Sequence, residues 1–396
     1  MGLSKRKRSR ISFLLAFLFM VTSGICQSPG NNKVNFIKHI LADDFISEGV
    51  AIGDVNKDGK IDVMAGPCWF EAPDWKRHEI APVKKLDPEV DYSHSFLNFS
   101  MDVNLDGWID LIVIDFPGTT VSWFENPKNQ AGHWKPALIY ETVGNESPTM
   151  ADIDGDGRLD ILCADSKQRQ MIWLRAPLSN GAGTWERFTI SQKNAPGTDV
   201  FSHGLGHGDI NGDGRPDVIV REGWWEGPFD PRQPNWNFHP SDLGEECSQM
   251  YVMDVNGDQN PDVVSASAHL SGVWWHQQVK ENEKTNWETH VISYAFAESH
   301  AVALADFNGD GKLDIVTGKR DLHRNTWRKN PGTHGPPLLY WYEFTPTEPF
   351  WIAHQIDDAS GAGLNIVAQD ITGDGLMDII ISNFKGVFVF ENQSKK

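Results

Sequence analysis

One nine-residue pattern, D-x-[DN]-x-D-G-x-x-D, recurs seven times along this 396-residue chain and sets the terms for everything it can fold into. The first copy carries Asp54, Asn56, Asp58 and Asp62, the second Asp102, Asn104, Asp106 and Asp110, and the third Asp152, Asp154, Asp156 and Asp160. The fourth carries Asp209, Asn211, Asp213 and Asp217. In the fifth, Asp254, Asn256, Asp258 and Asp262 are kept, but Gln259 replaces the glycine. The sixth carries Asp306, Asn308, Asp310 and Asp314, and the seventh Asp370, Asp374 and Asp378, with Thr372 at the third position. Successive copies begin 48, 50, 57, 45, 52 and 64 residues apart, a spacing that assigns one compact structural repeat to each.

The chemistry of the pattern is that of a hard cation. Side-chain oxygens at positions one, three, five and nine, with a backbone carbonyl near position seven, make the oxygen-rich shell that Ca²⁺ prefers. The glycine at position six permits the sharp turn that gathers them. An EF-hand needs a bidentate Glu at position twelve between two helices, whereas here that position is apolar, as at Ala65 and Val113, inside strand-like runs. A single copy would be an ordinary Asx turn; seven in register predict up to seven structural Ca²⁺ ions. The loops hold 22 aspartates, whose mutual repulsion makes bound calcium part of the expected stability.

Around each loop the residues alternate in short runs. A small-residue strand precedes it (EGVAIGD, HGLGHGD, HAVALAD), and an apolar strand follows (IDVMAG, LDILCA, LDIVTG). A third run is aromatic (CWFEAP, GWWEGP, YWYEF), and a fourth reads W-x-x-h (WKRHEI, WERFTI, WIAHQI). Four short strands and one aromatic motif per repeat predict an all-β, seven-bladed β-propeller with a calcium-type loop in each blade. The last repeat stops after its third strand, and FIKHIL (Phe36–Leu41) stands unpaired near the N-terminus, so a 3+1 closure by the N-terminal strand is expected. The tryptophans are expected to form blade-to-blade core.

Residues 1–26 read as a signal peptide: Lys5, Arg6, Lys7, Arg8 and Arg10, then an apolar run from Ile11 to Val21, then small residues. That run is about half of the ~20 residues a membrane span requires. Residues 27–396 are then a single propeller domain, secreted or periplasmic. Without the leader's five positive charges the net charge falls from −19 to −24, which disfavours nucleic acid and anionic membranes. Cys68, Cys163 and Cys247 are too few and too scattered for a disulfide framework. A monomer is expected.

These repeats resemble FG-GAP/VCBS-type repeats, the calcium-bearing propeller units also seen in integrin α-subunit heads. The resemblance runs from Phe36 to Asn392 and implies the fold; the second-strand endings AGP and TGK depart from a tidy FG…GAP pattern, so integrin-like ligand recognition is not implied.

Propeller first strands line a central channel. Counting back from each loop places Glu48, His94, Glu146, His203, Glu246 and His300 at the mouth opposite the calcium loops, with Leu364 in the seventh blade and His207 four residues beyond His203 on the same strand face. Second-strand ends add Asp115, Asp165, Arg221, His269, Arg320 and Lys385. Histidine with glutamate is a transition-metal ligand set, so one such ion at the mouth is a further candidate cofactor. An ion there would polarise a carbonyl while a neighbouring base removes a proton, with Arg221 and Arg320 steadying an anion. The first-strand arrangement is similar to the propeller of aldos-2-ulose dehydratases. That similarity implies elimination or isomerisation on a keto-sugar, with His94, His203 and His300 as ligands and Glu146 or His207 as base. Two readings follow: an exported module that binds a small ligand, a carbohydrate, at the mouth, or a metal-dependent lyase, dehydratase or isomerase acting on keto-sugars. The basic, Gly/Pro-rich run from Arg320 to Pro337 is expected to loop over the mouth.

Overall fold

The computed structural model describes residues 34–179, 185–281, 284–320 and 335–394. The leader, and residues 321–334 of the basic run, lie outside the described residues. Within them the secondary structure is entirely β, with no helix. Among the described residues, no helix is long and apolar enough to cross a membrane.

The strands meander in antiparallel sets of four, one set to each Asp loop. The first set runs Ala51–Gly53, Asp62–Ala65, Cys68–Glu71 and Lys76–Glu79, paired in that order. The loop falls between the first and second strands, so each second strand starts on the ninth loop residue, as at Asp62, Asp110 and Asp314. One long strand, Lys135–Ala151, serves two sets: its first half pairs with Thr119–Glu125 and its second with Asp160–Asp165. The N-terminal strand Phe36–Ala42 pairs antiparallel with the final strand Gly386–Asn392, Phe36 opposite Asn392. Lys38 on that strand also reaches Asp357 of the preceding set at 2.8 Å.

Inner strands are built from small residues because neighbouring sets crowd there. A Cβ on Gly206 would lie 2.3 Å from the Met250 carbonyl oxygen, and one on Gly363 would lie 2.0 Å from that of Ser382. Larger residues fill the widening space further out. Trp173 of the third set and Trp225 of the fourth lie in one buried cluster with Ile153, Leu205 and Val218. Trp123, Trp275 and Trp341 are equally buried in neighbouring clusters, so these third-strand tryptophans pack between sets. Cys68, Cys163 and Cys247 are free and buried, and the asparagines of the three N-x-S sequons (Asn98, Asn145, Asn392) are buried as well.

The fold's two ends differ. Loops gather at one, and at the other the first strands begin. Between them Leu364 is fully buried on the axis, its N–H donating to the Glu48 carbonyl at 3.3 Å. Asn365 donates to the carbonyls of Val50 and Asn98, and Gln249 bridges Leu364 and Val302. This plug separates the strand-start mouth from a cavity of about 300 Å³ on the loop side, lined by Phe99, Thr149, Tyr251 and Ile366 among others.

Candidate functional site

Each loop is organised by its own carboxylates. In the first, Asp54 accepts from the amides of Asp58 and Gly59, both at 3.0 Å, and Asp58 accepts from Lys60 at 2.9 Å. The sixth repeats this at Asp306 and Asp310. The fifth does so despite lacking the glycine: Gln259 takes φ 68° and donates to Asp254 at 2.9 Å. In the seventh, Asp370 still accepts from Gly373 and Gly375 at 2.7 Å each.

The ninth-position aspartates behave differently. Asp62 is fully buried, and its two oxygens accept from Val55 and Ala72 at 3.0 and 2.9 Å. Asp110, Asp160, Asp217, Asp262, Asp314 and Asp378 each make the same two bonds, one inside the loop and one to the end of the third strand. Burial pushes the carboxyls of Asp110, Asp160 and Asp314 up to about 7. This position therefore latches the loop to the sheet.

The residues present fit a hard cation. In the third loop Asp152, Asp154 and Asp160 offer oxygens within 4.8 Å of one another, and a buried Asp154 Oδ1 has no hydrogen-bond partner. Elsewhere side-chain cations sit on the fifth-position carboxylates, Lys60 on Asp58 at 3.1 Å and Lys312 on Asp310 at 3.0 Å.

At the opposite end six side chains converge. Arg320 is buried between the rings of Phe96 and Phe384, its guanidinium carbon 5.4 and 5.6 Å from their centroids. Its Nε donates to Glu48 Oε1 at 3.1 Å, and its Nη1 lies 3.9 Å from Glu146 Oε2. Glu146 Oε2 is in turn 3.2 Å from His203 Nε2. The rings of His203, His269 and His300 stand edge to face, with centroids 4.5 to 5.6 Å apart. Burial works against the Glu146 charge, but His203 and then Arg320 outweigh it and hold the carboxyl below its usual range. Burial, reinforced by Arg320, His269 and His203, pushes His300 well below the ordinary histidine value, so its ring is neutral.

This centre is costly as built. Glu48 Oε2, Nδ1 of His203 and Nε2 of His300 are buried without hydrogen-bond partners, while Nε2 of His203 faces Glu146 at 3.2 Å. Each such atom costs about 1–3 kcal/mol. Burial at that cost marks a place organised for something other than packing.

Not every sequence candidate reaches this centre. His94 is 80% exposed, 3.1 Å from Asp115, and borders a separate groove with Leu86 and Pro82. Arg221 is half-exposed and bonded to Glu222 at 2.8 Å. Glu246 lies beside the centre, 3.3 Å from His269. His207 is pushed down by burial, and the charge opposing that shift is Asp152 of the third loop, which places it toward the loop end. Asp165 is absorbed by Tyr140, Thr142 and Arg187. The register explains the split. Six residues before each loop stand Glu48, Phe96, Glu146, His203, Ser248, His300 and Leu364, whereas His94 and Glu246 stand eight before, about 7 Å further out along the strand.

Sequence reasoning missed an aromatic row. Phe96, Phe116 and Phe201 stand 5.9 and 5.7 Å apart, with Tyr92 5.1 Å from Phe116. Tyr92 and Phe201 are 40% and 54% exposed. Phe201, two residues before His203, was the available signal.

Four-stranded antiparallel sets around a plugged axis, with loops at one end and a polar mouth at the other, define a β-propeller. The FG-GAP-like repeat family model matches residues 102–163 and 254–317, so the chain is a β-propeller that carries FG-GAP-like repeats in those segments. BBS1N, solved in complex with ARL6DN, is similar in fold at 10% identity, covering 92% of this chain and 97% of its own, with a TM-score of 0.54. The exotype rhamnogalacturonan lyase YesX aligns at 11% identity over 91% of this chain and 76% of its own, TM-score 0.49. Bacillus licheniformis rhamnogalacturonan lyase PL11 aligns at 11% over 92% and 74%, TM-score 0.44. No curated protein matches the sequence.

Proposed function

We propose that this chain is an exported, calcium-stabilised propeller of seven blades, closed by its N-terminal strand, that binds a small polyhydroxylated ligand, a carbohydrate, at the channel mouth. Seven Asp loops of one design and the pairing of Phe36–Ala42 with Gly386–Asn392 support the first part. The basic and apolar leader supports export. The observation that carries the ligand is the mouth itself: buried acceptors and a guanidinium, with Glu48 Oε2 unused, beside exposed aromatic faces at Tyr92 and Phe201. Carboxylates bond hydroxyls while aromatic faces take the apolar side of a sugar ring.

The test is saturation-transfer NMR of the calcium-loaded protein against a panel of mono- and oligosaccharides, repeated with Phe201→Ala and Glu146→Gln. Binding that weakens about tenfold in each variant is expected. A sugar signal unchanged in both variants, or none from any panel member, overturns the reading. A second reading, a keto-sugar lyase or isomerase, is favoured by one observation: three histidines share the mouth with Glu146 and Arg320.

A further inference from the structure

We propose that His203, His269 and His300, with Glu146 as a fourth ligand, bind one transition-metal ion of the zinc class, separate from the loop ions, whose coordination can expand to a fifth position open toward the mouth. The three histidines each present a nitrogen within 4.8 Å of the others. A tetrahedral ion at ~2.05 Å from each would bring those nitrogens to about 3.4 Å, a closure that small side-chain rotations supply. His300 is already aimed: its Nδ1 lies 3.3 Å from the Glu298 carbonyl oxygen, which fixes the proton there and leaves the buried Nε2 lone pair unpartnered. His269 has an orienting carboxylate in Glu246, 3.3 Å from its Nε2. Orienting carbonyls and carboxylates of this kind are what hold ligating imidazoles.

Charge points the same way. Among the described ion pairs around the rings, the carboxylates of Glu48, Glu146 and Glu246 outnumber the guanidinium of Arg320, a surplus that a divalent ion would offset. Three imidazoles and one carboxylate suit Zn²⁺ and its neighbours, whereas the all-oxygen loops suit Ca²⁺. The two ion classes therefore sort to opposite ends of the channel. The metal site stands on this geometry alone; the open position as the seat of a sugar oxygen rests on the binding reading above.

The experiment titrates calcium-saturated, full-length protein with Co²⁺, whose visible bands report nitrogen ligation. One Co²⁺ per chain with intense absorption is expected. His269→Gln and His300→Gln should each weaken uptake by about 100-fold or more, while His133→Gln, on the surface, leaves it unchanged. If His300→Gln does not fold, His269→Gln, at a ring 12% exposed, carries the comparison. No Co²⁺ uptake beside calcium, or uptake indifferent to the histidine variants, overturns the site. Acetohydroxamate, an oxygen chelator, should shift the cobalt spectrum. A site that binds cobalt but ignores the chelator overturns the open position only, and sugar binding without any metal uptake would separate the two proposals.

Discussion

Replacing Glu48 by Gln should cost the protein about 3–4 kcal/mol, and the reason lies in what the change leaves behind. Arg320 is 4% exposed at its side chain and Glu48 1%, so neither charge has water to fall back on. Breaking a buried pair by removing one partner costs about 3–5 kcal/mol, because the survivor stays desolvated and unpaired. The low end applies here, since Glu146 remains 3.9 Å from the guanidinium and Phe96 and Phe384 still flank it. A chain of this length unfolds with an entropy of roughly 0.8 kcal/mol/K, so the midpoint should fall by about 4–5 °C. The assay is thermal unfolding of calcium-loaded protein, in 0.1 and 1 M NaCl. A buried pair is poorly screened, so the loss should be nearly the same in both. Glu48→Gln with Arg320→Met, which removes both charges, should recover most of the loss. A loss under about 1 kcal/mol, or one that vanishes in high salt, would mean that the mouth is wet and the pair is an ordinary surface contact.

Gln259→Gly should stabilise the fifth loop by about 1 kcal/mol, because Gln259 holds φ 68° where its six counterparts are glycine; an unchanged urea midpoint would refute this. Burial pushes His276 down to about 4, below its unfolded value near 6.5, so the unfolded chain binds the extra proton and stability is lost as pH falls from about 6.5 to 4. His276→Gln should remove up to about 3 kcal/mol of that acid sensitivity, and equal loss in both proteins between pH 7.5 and 4.5 would exclude His276 as its source. Deleting residues through Ala42 should expose the edge of Gly386–Asn392 and yield soluble aggregates on size exclusion, where a stable monomer would show that the closing pair is dispensable.

Much of the fold was legible because its signals are local. Each Asp loop is nine consecutive residues, and the strands on either side carry their own alternation, so reading DVNKDGKID was enough to place Ala51–Gly53 and Asp62–Ala65. Even the pairing of the first and last strands could be anticipated, since FIKHIL matches WIAHQI in type and the final repeat ends one strand short. The role of the ninth aspartate was less legible. Spacing makes Asp314 look like a ligand equal to Asp306, yet its oxygens are taken by the amides of Phe307 and Phe344, 7 and 30 residues away. The second of those partners is fixed only by the sheet.

The mouth was half legible for a geometric reason. Residues six and eight before a loop share one face of the strand, so the side-chain period alone cannot separate His203 from a residue in the position of His94. What separates them is depth, about 7 Å along the strand. At six before, the first strands crowd together and Glu48, Glu146, His203 and His300 meet; at eight before, the strands have splayed and His94 meets water. Convergence also explains why His269 and Arg320 belong to the centre although they come from second strands. Those strand ends return to the same crowded depth, where Arg320 meets Glu48 across 272 residues of sequence. Any residue at that depth must be either apolar, like Phe96 and Leu364, or paired, like Glu48 and Arg320. His203 and His300, each buried with a ring nitrogen that has no hydrogen-bond partner, are the residues that scaffolding alone does not account for.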